Sequence, residues 1–119
     1  MKAGTAKTYD LEDRTLKFAK SVRVFARNYP KDFVAYEDIK QLVRSSGSVG
    51  ANYIEANNAL SKKDFKMRIK ICKKEAKESQ YWLTLLEAIN EQTENEREVL
   101  KKEAEELTYI FAAILRKSE

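Results

Sequence analysis

Between Leu11 and Tyr29 the apolar residues Leu11, Phe18, Val22, Phe25 and Tyr29 recur at helical spacing, with Thr15 completing the stripe in steps of three and four. That spacing follows one side of a 3.6-residue helix, whereas a strand would scatter the same residues over both its faces. Asp10 is placed to cap the helix, and Asp13 favours the positive end of its dipole. Pro30 stops it, because the residue before a proline is pushed out of the α region. Residues 1–9 read as a short flexible tail.

Three further segments repeat the pattern. Residues 36–58 place Tyr36, Ile39, Val43, Ser46, Gly50, Tyr53 and Asn57 on one face. Ser61 and Asp64 make a Ser-x-x-Asp start for a third helix over about 62–90, whose stripe is Phe65, Ile69, Cys72, Ala76, Ser79, Leu83 and Leu86. Thr93 with Glu96 is a second capping box, opening a helix over about 94–117 that carries Leu100, Ala104, Leu107, Phe111 and Ile114. Links this short force neighbouring helices antiparallel. The expected fold is all-α, an up-and-down four-helix bundle forming a single domain over residues 10–119.

Composition removes several classes of function. Only 3 Gly and 1 Pro leave too few turn-formers for a many-stranded β fold. No run of about 18 apolar residues spans a membrane. The N-terminus lacks a signal-peptide core, so a cytoplasmic protein is expected. With no His and one Cys, neither a zinc site nor a Glu-x-x-His di-iron site can be assembled, and no cofactor is expected. Cys72, on an apolar stripe, reads as a small buried hydrophobe.

Charge is unevenly distributed. The net +4 decides little, but residues 57–80 carry an excess of five positive charges and residues 81–119 an excess of four negative ones. Six lysines of the third helix, Lys63, Lys66, Lys70, Lys73, Lys74 and Lys77, fall within about 100° of arc. They repel one another at spacings of three and four, a repulsion that a phosphate backbone would relieve with release of counterions. The alternative is a solvated face, partly neutralised by Glu75, Glu78 and the acidic fourth helix. No recognition-helix motif or aromatic platform accompanies the stripe, so binding of RNA or DNA would be led by the backbone.

Two more faces lie off the core stripes. Met67, Ile71, Trp82, Leu85 and Ile89 make a second apolar stripe on the third helix, within about 60° of one another, and mark a self-association surface. On the second helix, Ser45, Ser46, Gly47, Ser48 and Gly50 interrupt an otherwise apolar run, although each helical Gly costs roughly 1 kcal/mol against Ala. Close packing on two sides would offset that cost. Gln41, Arg44, Ser48, Asn52 and Glu55 form a polar row on the side opposite Ile39, Val43 and Gly50. No nucleophile, phosphate-binding loop or metal ligand accompanies Arg44 and Glu55, so an enzyme is not expected.

The same stretch carries a resemblance. Gln41-Leu42-Val43-Arg44, Ser48-Val49-Gly50-Ala51-Asn52 and Glu55-Ala56 resemble the signature of the bacterial 23S rRNA intervening-sequence proteins. Lys74-Glu75-Ala76-Lys77-Glu78 followed by Tyr81-Trp82-Leu83 is similar to the third helix of one branch of that family. Tyr53 stands where Ile is usual, Asn57 where Gly is common, and Gly50 where Pro often occurs. The resemblance implies a left-handed up-down bundle assembled as a ring, typically a homopentamer. Members can be encoded within insertions in large-subunit ribosomal RNA genes. Related accessory proteins of diversity-generating retroelements form pentameric barrels that contact nucleic acid and a reverse transcriptase. A heterologous ring needs two distinct surfaces per subunit and would multiply the lysine stripe. A non-enzymatic, oligomeric nucleic-acid-binding protein is the first reading, and a protein-interaction scaffold the second.

Overall fold

The computed structural model describes residues 3–87 and 89–119, with side chains from Leu11 onward. Four helices follow one another: α1 (Ala3–Asn28), α2 (Phe33–Asn57), α3 (Lys62–Leu85) and α4 (Glu91–Lys117). There is no strand among the described residues. Each helix packs on its neighbours in sequence, and α1 closes against α4. Cross-helix contacts run in opposite senses: Thr15 lies beside Gly50 and Arg23 beside Gly47 between α1 and α2, while Arg44 meets Glu75 and Asn52 meets Arg68 between α2 and α3. The helices are therefore antiparallel neighbours in a body of 44 × 27 × 19 Å.

Helix ends differ from the sequence reading where a better cap competes. Residues 3–9, expected as tail, form the first turns of α1, so Asp10, expected at its start, lies within the helix. Met1 and Lys2, also assigned to that tail, lie outside the described residues. Asp32 accepts from the Ala35 amide at 2.8 Å and starts α2 three residues earlier than expected. Ser61 accepts from the Asp64 amide at 3.0 Å, the cap its spacing indicates. The third helix ends at Leu85 and not near residue 90, because Leu86 turns extended at ψ 127°. Asn90 then caps α4, accepting from the Thr93 amide at 2.8 Å. Asn outranks Thr at this position, so Thr93 falls inside the helix.

The core is made by stripes that the spacing shows for three helices. Leu11, Thr15, Phe18, Val22, Phe25 and Tyr29 are all buried on α1, as are Ile69, Cys72, Ala76, Ser79 and Leu83 on α3 and Leu100, Ala104, Leu107 and Phe111 on α4. The buried face of α2 is rotated from the expected one. It consists of Ile39, Leu42, Ser45, Ser46, Val49, Tyr53 and Ala56, while Tyr36 and Asn57 are exposed and Val43 is half-buried. Small residues let α2 sink between α1 and α3. A Cβ on Gly50 would come within 3.1 Å of Thr15 Oγ1, and on the other side Ser45 Oγ shares a hydrogen with Ser79 Oγ at 2.8 Å. Cys72 donates to the Val49 carbonyl at 3.4 Å, and burial pushes its thiol up to about 12.

Tyr29 secures the far end of the core. Its hydroxyl donates to the Glu87 carbonyl at 2.6 Å, and burial holds its ionisation above the ordinary 10.0. The folded state thus keeps a proton that the unfolded chain loses above pH 10. The stability this contributes is fully present below pH 10 and falls as pH rises through the raised value. Urea melts at pH 9 and 11 are expected to show that loss, and Tyr29→Phe is expected to flatten it. An unchanged slope in the variant would contradict this origin.

Candidate nucleic-acid interface

The lysines of α3 surround an apolar floor. Lys63, Lys66, Lys70 and Lys74 line a shallow groove of about 340 Å³ with Met67 and Ile71 between them. Lys73 and Lys77 extend the basic surface along the same helix. The sequence separates lysine stripe from apolar stripe, but the two adjoin, and Met67 is 54% exposed among the charges. Among the described residues, none of the six lysines has a carboxylate within 4.0 Å.

Two carboxylates interleaved with those lysines, Glu75 and Glu78, are held by an arginine instead. Arg44 donates to both Glu75 oxygens at 3.1 and 3.4 Å and to Glu78 at 3.1 Å. The hydrogen bond that Arg44 donates to Glu75 raises the Arg44 pKa, fixing the guanidinium charge. On the opposite side Arg14 grips Glu103 through two bonds of 2.7 and 2.8 Å and reaches Glu106 at 2.8 Å. The Glu103 bond is the largest influence holding Arg14 protonated. Arg97 holds Glu94 at 2.6 Å, and Lys101 lies 3.5 Å from Glu98. Glu75 and Glu78, which the solvated-face alternative set against the stripe, are thus held by Arg44, and Glu94, Glu98, Glu103 and Glu106 of α4 meet Arg14, Arg97 or Lys101.

The polar row of α2 is the other half of that arrangement. Gln41 accepts from Arg44 at 3.4 Å, and Asn52 donates to the Ser48 carbonyl and hydroxyl, both at 2.9 Å. Asn52 in turn accepts from Arg68 at 3.1 Å, and Arg68 lies 3.9 Å from Glu55. Arg44, Asn52 and Glu55 thus meet α3 of the same chain as a polar seam, with Gln41 and Ser48 bonded to Arg44 and Asn52 within α2. Glu75 is the buried member, with its side chain 8% exposed, while Arg44 is half exposed. Removing Arg44 would leave a buried carboxylate without its cation, which costs several kcal/mol at a closed site and less where water reaches the pair. Arg44→Ala is expected to lose about 2 kcal/mol, with Glu75→Gln in the same background recovering part of it. Denaturant melts of the three variants check this, and an unchanged Arg44→Ala midpoint would contradict it.

The second apolar stripe is divided. Met67 and Ile71 belong to the lysine groove, and Trp82 is partly buried against the core with its ring on Tyr81. Ile89 lies beyond the end of α3, so helical register does not align it with the others. With Leu85 and Val34 it lines a hollow of about 270 Å³ at one end of the bundle. Two features escaped the sequence reading. Tyr81 is 57% exposed on the lysine side. A groove of about 600 Å³ also opens between α1 and α4 over Phe18 and Leu100. Exposed Leu16, Val24 and Val99, all off the core stripes, were the available signal for that groove.

The sequence profile of the 23S rRNA-intervening sequence protein family matches residues 7–113. The chain belongs to that family. A crystal structure of a protein of unknown function from the S23 ribosomal protein family of Bacteroides thetaiotaomicron is similar, with 33% identity and a TM-score of 0.78. The match covers 92% of this chain and 98% of that one. No curated protein matches. Of the polar row Gln41, Arg44, Ser48, Asn52 and Glu55, the members Arg44, Asn52 and Glu55 make a helix-to-helix contact inside one chain. No described helix is long and apolar enough to cross a membrane.

Proposed function

We propose that this intervening-sequence protein is a non-enzymatic, oligomeric bundle that binds nucleic acid, RNA above all, through the lysine face of α3. The observation that supports it most is the set of six lysines left without carboxylate partners among the described residues. Mutual repulsion destabilises such a helix face, and a polyanion relieves it. Arg14, Arg44, Arg68 and Arg97, better suited to bidentate recognition, are spent on internal carboxylates, which favours backbone contact by the lysine point charges over base readout. The single thiol is buried and held protonated, unsuited to act as a nucleophile.

Assembly as a ring, typically of five, belongs to the same proposal. Exposed apolar side chains on different sides of the bundle support it: Leu16, Val24 and Val99 beside the α1–α4 groove, and Leu85 and Ile89 at the bundle end. Sedimentation at micromolar concentration is expected to give a multiple of the 13.8 kDa monomer mass, and a monomer would contradict the ring. Anisotropy titration with labelled RNA at two salt concentrations tests the binding. Binding at about 50 mM salt that weakens steeply by 200 mM is expected, and no binding at the lower salt would overturn the proposal. A protein scaffold is the second reading, favoured by the hollow lined by Val34, Leu85 and Ile89. Recovery of one protein partner after nuclease treatment, with no RNA affinity, would support it.

A further inference from the structure

One exposed aromatic ring lies in line with the lysines. Lys63, Lys70, Lys74 and Tyr81 fall within about 40° of arc on α3, and Lys77 is one turn before Tyr81. The Tyr81 ring meets Trp82 edge-on at 5.2 Å and 72°, and Trp82 is itself packed against the core. Tyr81 is thus an exposed ring propped from beneath by a held one. The sequence reading set no aromatic platform beside the stripe, and Tyr81 is the exposed ring in its line. Farther along, Met67 and Ile71 give the lysine groove an apolar floor.

A duplex offers these features little, since its bases are stacked on one another and expose edges, phosphates and sugars but no free base face. An unpaired strand offers both chemistries at once, phosphates for lysines and free base faces for Tyr81, Met67 and Ile71. Resting on the nucleic-acid reading above, we infer that this face takes an unpaired segment of RNA, with a base stacked on Tyr81 and the phosphates running along Lys77, Lys74, Lys70 and Lys63. RNA is named because its loops and bulges regularly present splayed bases of this kind. From residue 63 to residue 81 the helix rises about 27 Å, enough for a strand on the order of four to eight nucleotides.

The test compares a labelled 10-nucleotide RNA strand with the same sequence annealed into a duplex, using wild type, Tyr81→Ala and Tyr81→Phe at low salt. Tyr81 is exposed, so the variants are expected to keep the helical circular dichroism of the parent. The single strand is expected to bind at least tenfold more tightly than the duplex. Tyr81→Ala is expected to weaken single-strand binding by roughly 5- to 100-fold and leave duplex binding unchanged, while Tyr81→Phe retains it. A 2-aminopurine within the strand should change fluorescence on binding wild type and Tyr81→Phe, and not Tyr81→Ala. Equal affinity for strand and duplex, or a neutral Tyr81→Ala, would overturn the inference while leaving the nucleic-acid reading intact. Failure of both RNAs to bind would overturn the nucleic-acid reading itself.

Discussion

Replacing Lys66, Lys70 and Lys73 together by Glu is expected to lower affinity for single-stranded RNA by a hundredfold or more at low salt. Each phosphate neutralised on a single strand contributes about −0.7 to the slope of log affinity against log salt. Six lysine contacts give a slope of about −4, and three give about −2. The variant should therefore bind more weakly and also show a shallower salt dependence. The matched control is Lys17→Glu, Lys20→Glu and Lys102→Glu, an identical change in charge placed around the α1–α4 groove. That control should keep most of the affinity, losing only what the overall field supplies. Equal losses in the two triple variants would mean that net charge, and not the α3 face, governs binding.

Phe111→Ala is expected to be the most damaging single substitution for stability. Phe111 is completely buried, and its ring packs 5.8 Å from that of Tyr53 at 55°. Truncating a buried Phe removes its transfer free energy and leaves a cavity, for a cost of about 3–5 kcal/mol. Against a total of about 5–15 kcal/mol for a domain, that is a large fraction, and the melting temperature should fall by roughly 10–20 °C. Phe33→Ala removes the same atoms from a side chain 83% exposed and should stay within about 0.5 kcal/mol of the parent. A Phe111→Ala variant that melts like Phe33→Ala would refute the core assignment. The pairing also gives physical content to Tyr53, which replaces the Ile usual in the family signature: its ring reaches across the bundle to α4.

The stripes of α1 and α3 were legible in sequence because each helix buries one face made almost wholly of apolar residues. On α2 the register was not legible. Ser45 and Ser46 are buried there, and their hydroxyls donate to the Leu42 and Val43 carbonyls one turn back. A polar side chain satisfied by its own helix looks in sequence like one facing water, so Leu42, Val49 and Ala56 were displaced from the expected stripe. The end of α3 was not legible for a different reason: Leu86 turns extended there, and neither a Gly nor a Pro marks the place in the sequence. At the candidate site, the six lysines and the polar row could be named from spacing. Their pairing could not, since Arg44 reaches Glu75 across 31 positions and Arg14 reaches Glu103 across 89. The Arg44 bonds keep Glu75 and Glu78 from the lysines beside them.

Lysine footprinting bears most directly on the role of those lysines. The protein, alone and saturated with single-stranded RNA at low salt, is treated briefly with an acetylating reagent, and each lysine is quantified by mass spectrometry. Protection of Lys63, Lys66, Lys70, Lys73, Lys74 and Lys77, with Lys17, Lys20 and Lys102 modified equally in both samples, is the expected result. Protection centred on the α1–α4 groove, or spread evenly over all lysines, would contradict the assignment of the binding face to α3.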